Sequence, residues 1–100
     1  AVKAQIEGGV IWGLSALMFE DITIEKGAVK QSNFGDYPLA RISHAPQVVS
    51  VLVPSGGFWG GVGEPPIGGV IPAMMNALFS ATGKRIRSLP LKHHGFRYKT

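Results

Sequence analysis

The stretch that decides the fold is VKAQIEGGVIWGLSALMFE, residues 2–20. Apolar side chains recur in it at intervals of three and four residues, which is the spacing of one face of an α-helix. We therefore predict a helix over residues 2–20. Its apolar face is expected to consist of Ile6, Val10, Leu14, Leu17 and Met18.

This predicted helix contains three glycines, Gly8, Gly9 and Gly13. Each costs about 1 kcal/mol relative to alanine in a helix interior. A sequence that keeps all three is explained by the close approach of another backbone or of a ligand, or by tight packing against a second helix. The pattern favours neither explanation over the other.

Short strands are expected after the helix. Residues 22–25 and 28–32 flank the dipeptide at 26–27, Lys-Gly, and predict a hairpin with a tight turn. Residues 47–53, with the sequence QVVSVLV, predict a third strand. Its apolar density indicates burial on both faces.

A glycine- and proline-rich region follows at residues 54–72, with seven of the fourteen glycines and four of the seven prolines. We expect neither helix nor sheet in it. Pro72 suits the first turn of a helix that runs to Thr82, with Gly83 as its C-cap. A last strand is predicted over residues 85–91, interrupted by its proline. Interleaved helices and strands give an α+β (mixed α/β) fold with two main helices.

The composition fits a single domain whose surface is largely covered by protein. The chain has 100 residues, of which 45% are hydrophobic and 16% charged, whereas an ordinary soluble domain has roughly 25% charged residues. Because it has no cysteine, a disulfide framework, a thiolate zinc site and an iron–sulfur site within this chain are excluded. We expect the isolated chain to self-associate.

Positive charge is concentrated in residues 84–100, which carry six basic side chains and no acidic one, while residues 1–83 carry four basic and six acidic ones. No helix-turn-helix, zinc-finger or RNA-binding sheet pattern accompanies this charge. A solvated extension is therefore favoured over nucleic-acid contact. His93 and His94 have no carboxylate or cysteine near them in sequence, so we assign no metal ligands.

Glu64 is the one carboxylate between Arg41 and Lys84. It lies in GGVGEPP, residues 60–66, with apolar sequence on both sides, which predicts a glycine loop in a poorly solvated place. A carboxylate removed from water is a stronger proton acceptor, so Glu64 is a candidate general base. The alternative is a glutamate that caps the following helix, where the helix dipole and the prolines favour it. The pattern leaves both open.

Other motifs are absent or weak. The chain has no Walker motif, and the glycines of residues 56–69 lack the spacing of a dinucleotide fingerprint. Ser15 lacks the second glycine of a nucleophile elbow. The uncharged run at residues 65–83 is long enough for a membrane span, but its three prolines argue against one.

Four blocks of sequence together resemble the C-terminal end of the molybdopterin-binding subunit of the xanthine dehydrogenase and aldehyde oxidase family. They are QIEGGV at 5–10, QSNF and DYP within 31–38, GVGEPP at 61–66 and ATGKRIRSLP at 81–90. The second and fourth resemble the branch that contains the isoquinoline 1-oxidoreductase beta subunit and related aldehyde dehydrogenases. On this resemblance, residues 1–91 form the C-terminal part of the molybdopterin-binding domain and residues 92–100 a basic tail.

The resemblance implies a molybdenum hydroxylase, in which a carboxylate base activates a water-derived oxygen for attack on an electron-poor carbon. The carboxylate of the family's Gly-Val-Gly-Glu motif corresponds to Glu64, as catalytic base. The glutamine of the first block corresponds to Gln5, a partner of the pterin, and Gly61, Val62 and Gly63 would supply backbone on the cofactor side. The implied cofactor is molybdopterin, in its cytosine dinucleotide form, with no metal ligand from this chain.

The resemblance also implies partners: the rest of the molybdopterin-binding subunit, a subunit whose iron–sulfur clusters take the electrons, and a small aldehyde or N-heteroaromatic substrate. Trp12 stands where xanthine dehydrogenase-like members often have a second glutamine, which disfavours a purine. Because the family's subunit runs to several hundred residues, the chain alone is expected to be inactive. The alternative is a non-catalytic structural or assembly module whose basic tail contacts a partner subunit.

Overall fold

The fold consists of two helices, one hairpin and short 3₁₀ turns. A computed structural model describes residues 1–58 and 60–99. The elements are α1 (Val2–Met18), β1 (Ile24–Glu25), β2 (Ala28–Val29), a 3₁₀ turn (Ile42–His44), α2 (Pro65–Thr82) and a second 3₁₀ turn (Leu91–His94). This confirms the predicted α+β class and the predicted first helix.

The hairpin forms where the sequence predicts it, with shorter strands. β1 and β2 are antiparallel, and Ile24 lies opposite Val29. Lys26 and Gly27 make the turn with φ angles of 52° and 78°. Both angles lie in the left-handed region that a two-residue hairpin loop of this kind requires, and Gly27 adopts it without steric cost.

α1 and α2 pack closely and run in the same direction. A Cβ atom on Gly9 would meet Pro66, and one on Gly13 would overlap Val70. The contact at Gly13 lies four residues after the contact at Gly9, and Val70 lies four residues after Pro66. The two helices therefore run in the same direction. The long segment between the helices, residues 19–64, makes this arrangement possible. Tight helix packing therefore explains two of the three glycines of α1.

The core lies where α1, α2 and the C-terminal segment meet. Leu17 and Leu91 are 0% and 1% exposed, so the expectation that residues 84–100 form a solvated extension is wrong at Leu91. The division of the chain at residue 92 stays a prediction. The other core members and the side chains packed on them include Leu14, Met18, Val70, Met74, Leu78, Phe96 and Tyr98.

α2 begins at Pro65, earlier than the predicted start at Pro72. The prediction that residues 54–72 form neither helix nor sheet is therefore wrong from Pro65 onward. Prolines fit the first turn because no intrahelical donor is needed there. Pro72 lies inside α2, where a proline removes one hydrogen bond and costs about 3 kcal/mol. Packing of α2 against α1 stabilises the helix in spite of this cost.

The other two predicted strands do not form in this chain. Residues 47–53 pair with no described strand, and residues 85–91 contain bends at Ser88 and Leu89. A strand requires a neighbour for its backbone hydrogen bonds, and the hairpin is the one sheet within residues 1–58 and 60–99. None of the described helices has the length and apolar character needed to cross a membrane.

Candidate cofactor-binding site

The first half of α1 meets the glycine loop at a tight contact. A Cβ atom on Gly9 would lie 2.9 Å from the carbonyl oxygen of Gly63 and 3.0 Å from Cβ of Pro66. An alanine would force the loop away from α1, so the contact requires glycine at this position. We call Gln5, Gly9 and Gly63 the α1–loop junction.

Gln5 lies about one helical turn before Gly9 and is exposed. Its Oε1 atom is 3.8 Å from the position that a Cβ of Gly63 would occupy. The structure thus brings together two of the predicted site residues that are distant in sequence. A glutamine amide carries donor hydrogens and an acceptor oxygen, so Gln5 can bind a polar ligand at the junction.

Glu64 follows the junction directly and is the N-cap residue of α2. An N-cap side chain usually accepts a hydrogen bond from the second or third helical N–H. Pro65 and Pro66 have no N–H, and the N–H of Ile67 donates to the backbone carbonyl of Glu64 at 2.9 Å. The Glu64 carboxylate makes no capping hydrogen bond. The alternative prediction, that the Glu64 side chain caps α2 by a hydrogen bond, is therefore wrong.

Glu64 is also exposed. The prediction of a poorly solvated carboxylate is wrong for this chain as described, because no described element covers the residue. Its role as a base stays a prediction. The fold does place the Glu64 carboxylate at the end of the junction. There it lacks the side-chain hydrogen bond that an N-cap residue usually makes.

The remaining loop residues, Gly61 and Val62, are exposed and half-buried, respectively. A Cβ atom on Gly60 or Gly61 would have nothing within 4 Å. The N–H groups of residues 61–63 donate to no backbone carbonyl in the described part of the chain. The N–H groups of residues 61–63 thus have no backbone acceptor among the described residues, and the side of Gly60 and Gly61 on which a Cβ would lie is open among those residues.

A cleft of about 430 Å³ lies on a different face of α1. Gly8 and Trp12 line it, and a Cβ on Gly8 would have nothing within 4 Å. Gly8 thus faces open space while Gly9 faces the loop. The sequence analysis did not identify this cleft, since its lining joins α1 to residues brought in by the segment after the hairpin: Tyr37, Leu39 and Ala40.

Two hydrogen bonds hold that segment against α1. The N–H of Ala40 donates to Oγ of the buried Ser15 at 2.9 Å, and the hydroxyl of Tyr37 donates to Oε2 of Glu20 at 3.0 Å. Desolvation by burial, together with the hydrogen bond to Glu20 and its negative charge, raises the pKa of Tyr37 above its ordinary value. The phenol thus stays protonated over a wider pH range, which preserves the contact.

The histidine pair near the C-terminus has a structural role. His93 Nε2 lies 2.7 Å from Oδ2 of Asp21, just after α1. His94 Nε2 lies 3.0 Å from Oγ of Ser88. No group of three or more His, Asp or Glu side chains suited to a metal ion occurs in residues 1–58 and 60–99. The contact of His93 with Asp21 attaches the C-terminal segment to the end of α1, and the contact of His94 with Ser88 lies within that segment.

Comparison with known proteins identifies the class of domain to which this segment belongs. Residues 1–46 match the family described as molybdopterin cofactor-binding domain. The chain is a segment of the molybdopterin-binding subunit of the xanthine dehydrogenase and aldehyde oxidase family, as the resemblance of its sequence blocks indicates.

Three curated relatives illustrate this membership. The chain is 43% identical over 91 residues to isoquinoline 1-oxidoreductase subunit beta of Brevundimonas diminuta, which covers 91% of the chain and 12% of the relative. It is 39% identical over 90 residues to the membrane-bound aldehyde dehydrogenase [pyrroloquinoline-quinone] of Gluconacetobacter polyoxogenes, covering 90% and 12%. It is 34% identical over 96 residues to a xanthine dehydrogenase molybdenum-binding subunit of Escherichia coli, covering 89% and 13%. The chain therefore spans about one eighth of their length.

The α1–loop junction fits a molybdopterin. A pterin has hydrogen-bonding ring edges and its phosphate is an acceptor, and both are suited to an amide side chain and to backbone N–H groups. Gly60 and Gly61 leave open space on this side of the loop, which permits the close approach of a flat molecule. The residues that would hold the cofactor are Gln5 and the backbone of residues 61–63.

Proposed function

We propose that the chain is the part of a molybdenum hydroxylase that carries its catalytic base, Glu64. One observation carries this proposal: the carboxylate lies at the end of the α1–loop junction and makes no capping hydrogen bond, although it occupies an N-cap position. A capped carboxylate would be stabilised in its charged form and would be a weaker base. The two prolines after Glu64 remove the nearest donors that would have done this.

When bound, the molybdenum cofactor supplies the redox centre that takes two electrons from the substrate. The residues of this chain would have separate tasks around it. Gln5 and the N–H groups of residues 61–63 hold the pterin in register, and Gly9 keeps the loop close to α1. Glu64 takes a proton from water-derived oxygen at its carboxylate, which makes that oxygen a nucleophile toward the substrate carbon.

Glu64 is exposed in this chain. For Glu64 to act as a base, other parts of the complete protein would have to cover its carboxylate. The relatives continue far beyond the aligned region, since the chain spans 12% of the first two. The rest of the subunit would exclude bulk water from Glu64, which increases the basicity of a carboxylate. The chain alone is therefore proposed to be inactive.

The proposed substrate is an aldehyde or an N-heteroaromatic compound, hydroxylated with oxygen from water. Two of the relatives are named for isoquinoline and for aldehyde. One of these names also carries pyrroloquinoline quinone. We favour molybdopterin because residues 1–46 match its binding domain. We propose that the molybdopterin is in its cytosine dinucleotide form. We also propose that iron–sulfur clusters on a partner subunit accept the electrons.

The deciding experiment replaces Glu64 by glutamine in the complete enzyme and measures turnover and molybdenum content together. Loss of turnover at full molybdenum content supports the base. Unchanged turnover removes Glu64 from the mechanism. Metal analysis of the same preparations distinguishes a molybdenum enzyme from one that uses a quinone alone.

A second candidate, a structural module that contacts a partner subunit, is favoured by the C-terminal segment. Phe96 and Tyr98 pack against the core, whereas Arg97 and Lys99 between and after them are exposed. The fold thus holds these cations outward on an ordered surface. Replacement of both by glutamate should weaken subunit assembly, measured by co-purification, if this surface contacts an acidic partner.

A further inference from the structure

Residues 47–53 form an apolar segment with one bare face. The backbone contains no turn or bend from residue 45 to residue 55. Val49, Val51 and Val53 are 82%, 80% and 83% exposed, and Leu52 is less exposed at 52%. Val48 and Ser50 are half-buried. This alternation is the one expected of an extended strand, whose successive side chains point to opposite sides.

The backbone of this segment has no internal partner. None of the N–H or C=O groups of residues 46–54 takes part in a backbone hydrogen bond with another described residue. β1 and β2 have two residues each and pair with one another. Backbone groups of an apolar segment must find partners when the segment is buried, and water cannot supply them inside an apolar layer.

A side-chain group of the segment is also unsatisfied. The Oγ atom of Ser50 is buried and has no hydrogen-bond partner among the described residues. A buried hydroxyl without a partner is unfavourable and is rare in complete structures. Ser50 thus adds one unsatisfied polar group to a segment whose backbone is also unpaired.

We propose that residues 47–53 are a strand of a larger sheet, and that the neighbouring strands come from the rest of the same subunit. This inference rests on the proposed function, because it takes the chain as part of a longer polypeptide. The relatives support that occupant, since about seven eighths of their length lies outside the region they share with the chain. The segment has no charged residue, so the face that covers its valines is apolar as well.

Addition of a strand to a sheet satisfies the backbone and fixes the register of the segment. The register matters for the site, because six residues separate Val53 from Gly60, where the glycine loop begins. A strand anchored in the sheet would position one end of that loop, while Gly9 positions the other. The proposed sheet and α1 would thus hold the two ends of the loop that leads to Glu64.

Hydrogen–deuterium exchange of the complete subunit tests the proposal. The amides of residues 48–53 are expected to exchange at least about 100-fold more slowly than an unstructured peptide of the same sequence, because paired strand amides exchange only on opening. The exposed hairpin turn at Lys26 and Gly27 serves as the fast internal control and residues 13–18 of α1 as the slow one. Exchange of residues 48–53 as fast as at the turn would overturn the proposal.

Two further measurements identify the neighbour. Protection that disappears when the subunit is diluted to its monomeric form would assign the neighbour to a second copy and overturn the proposal. Val51→Pro removes one strand N–H and should abolish protection, while Val51→Thr keeps the N–H and should preserve it. The wild-type exchange decides the question even where the proline variant fails to fold. Amide exchange is measured without turnover. Fast exchange of residues 48–53 would therefore overturn the proposed strand without bearing on Glu64 as the base.

Discussion

Gly9 of α1 lies against the carbonyl oxygen of Gly63 so closely that a Cβ atom on Gly9 would be 2.9 Å from it. Its sequence neighbour Gly8 has nothing within 4 Å of the same hypothetical atom. Both glycines lower the helix propensity of α1 by the same amount. Only Gly9 makes a contact that leaves no room for a Cβ atom. This pair provides a matched test of the α1–loop junction.

Gly9→Ala should destabilise the complete subunit by about 1–3 kcal/mol, because the added methyl overpacks the contact with backbone atoms of the loop. Gly8→Ala should leave stability unchanged or raise it by up to about 1 kcal/mol through helix propensity. Thermal unfolding of the two variants beside the wild type measures both effects. Equal stability of the two variants would show that the junction is not tight.

Glu64→Gln should reduce turnover by at least about 100-fold, because loss of a general base costs about 10²–10⁴ in rate. Molybdenum content and subunit assembly should stay at wild-type levels, since the side chain makes no capping hydrogen bond. Glu25→Gln is the control: this carboxylate lies in the hairpin and pairs with Lys30 at the surface. A Glu64→Gln enzyme within a few-fold of wild-type turnover contradicts the proposed base.

Gln5→Ala should lower cofactor occupancy, because it removes the one side-chain amide at the junction. Glu7→Ala on the same helix is the control, since residues two apart do not share a helix face. Molybdenum analysis of the purified enzymes gives the occupancy directly. Full loading and normal turnover of Gln5→Ala would make Gln5 an ordinary surface residue of α1.

Alkaline pH should weaken the contact between Tyr37 and Glu20. Desolvation, and then the hydrogen bond to Glu20 and its charge, raise the pKa of Tyr37 above the model-compound value of 10.0. The stability that this contact adds is therefore fully present below pH 10 and is lost as pH rises through the higher folded-state pKa. Denaturant unfolding at neutral and alkaline pH should show a smaller alkaline loss for Tyr37→Phe than for wild type. If wild type and Tyr37→Phe lose the same stability at alkaline pH, the ionisation of Tyr37 does not cause that loss.

The isolated chain should self-associate. Val49, Val51 and Val53 are exposed, and Phe34, Ile42 and Phe58 are 92%, 95% and 100% exposed. So many exposed large apolar side chains are unusual for a monomeric soluble protein. Light scattering over a concentration series should show growth in mass, and a hydrophobic dye should bind. A monodisperse monomer that binds no dye would mean that the chain is a self-sufficient domain.

Local signals were sufficient for several elements. The three- and four-residue apolar spacing predicts α1 nearly to its last residue, and Lys26 with Gly27 predicts the hairpin turn, because both depend on residues close in sequence. Glu64 in its glycine loop was also predicted from the residues themselves, whereas Gln5 and residues 61–63 were predicted from the resemblance to the family. Their catalytic and binding roles stay predictions, and the covered surroundings expected for Glu64 are not provided by this chain.

Non-local contacts decided the rest. The start of α2 at Pro65 runs against the breaking tendency of its glycines and prolines, and packing on α1 accounts for it. Residues 47–53 have strand-like composition but no partner strand among the described residues, because pairing depends on chain distant in sequence.

The sequence by itself determined that Glu64 is the candidate for chemistry, since a lone glutamate in a glycine loop is visible in the order of amino acids. Only the tertiary structure decided that Gly9 and Gly13 serve helix packing whereas Gly8 faces a cleft. It also decided that Gln5 lies beside Gly63. The physical reason is that a missing Cβ permits close approach everywhere it occurs, and the direction in which each helical residue faces its neighbour determines where that approach takes place.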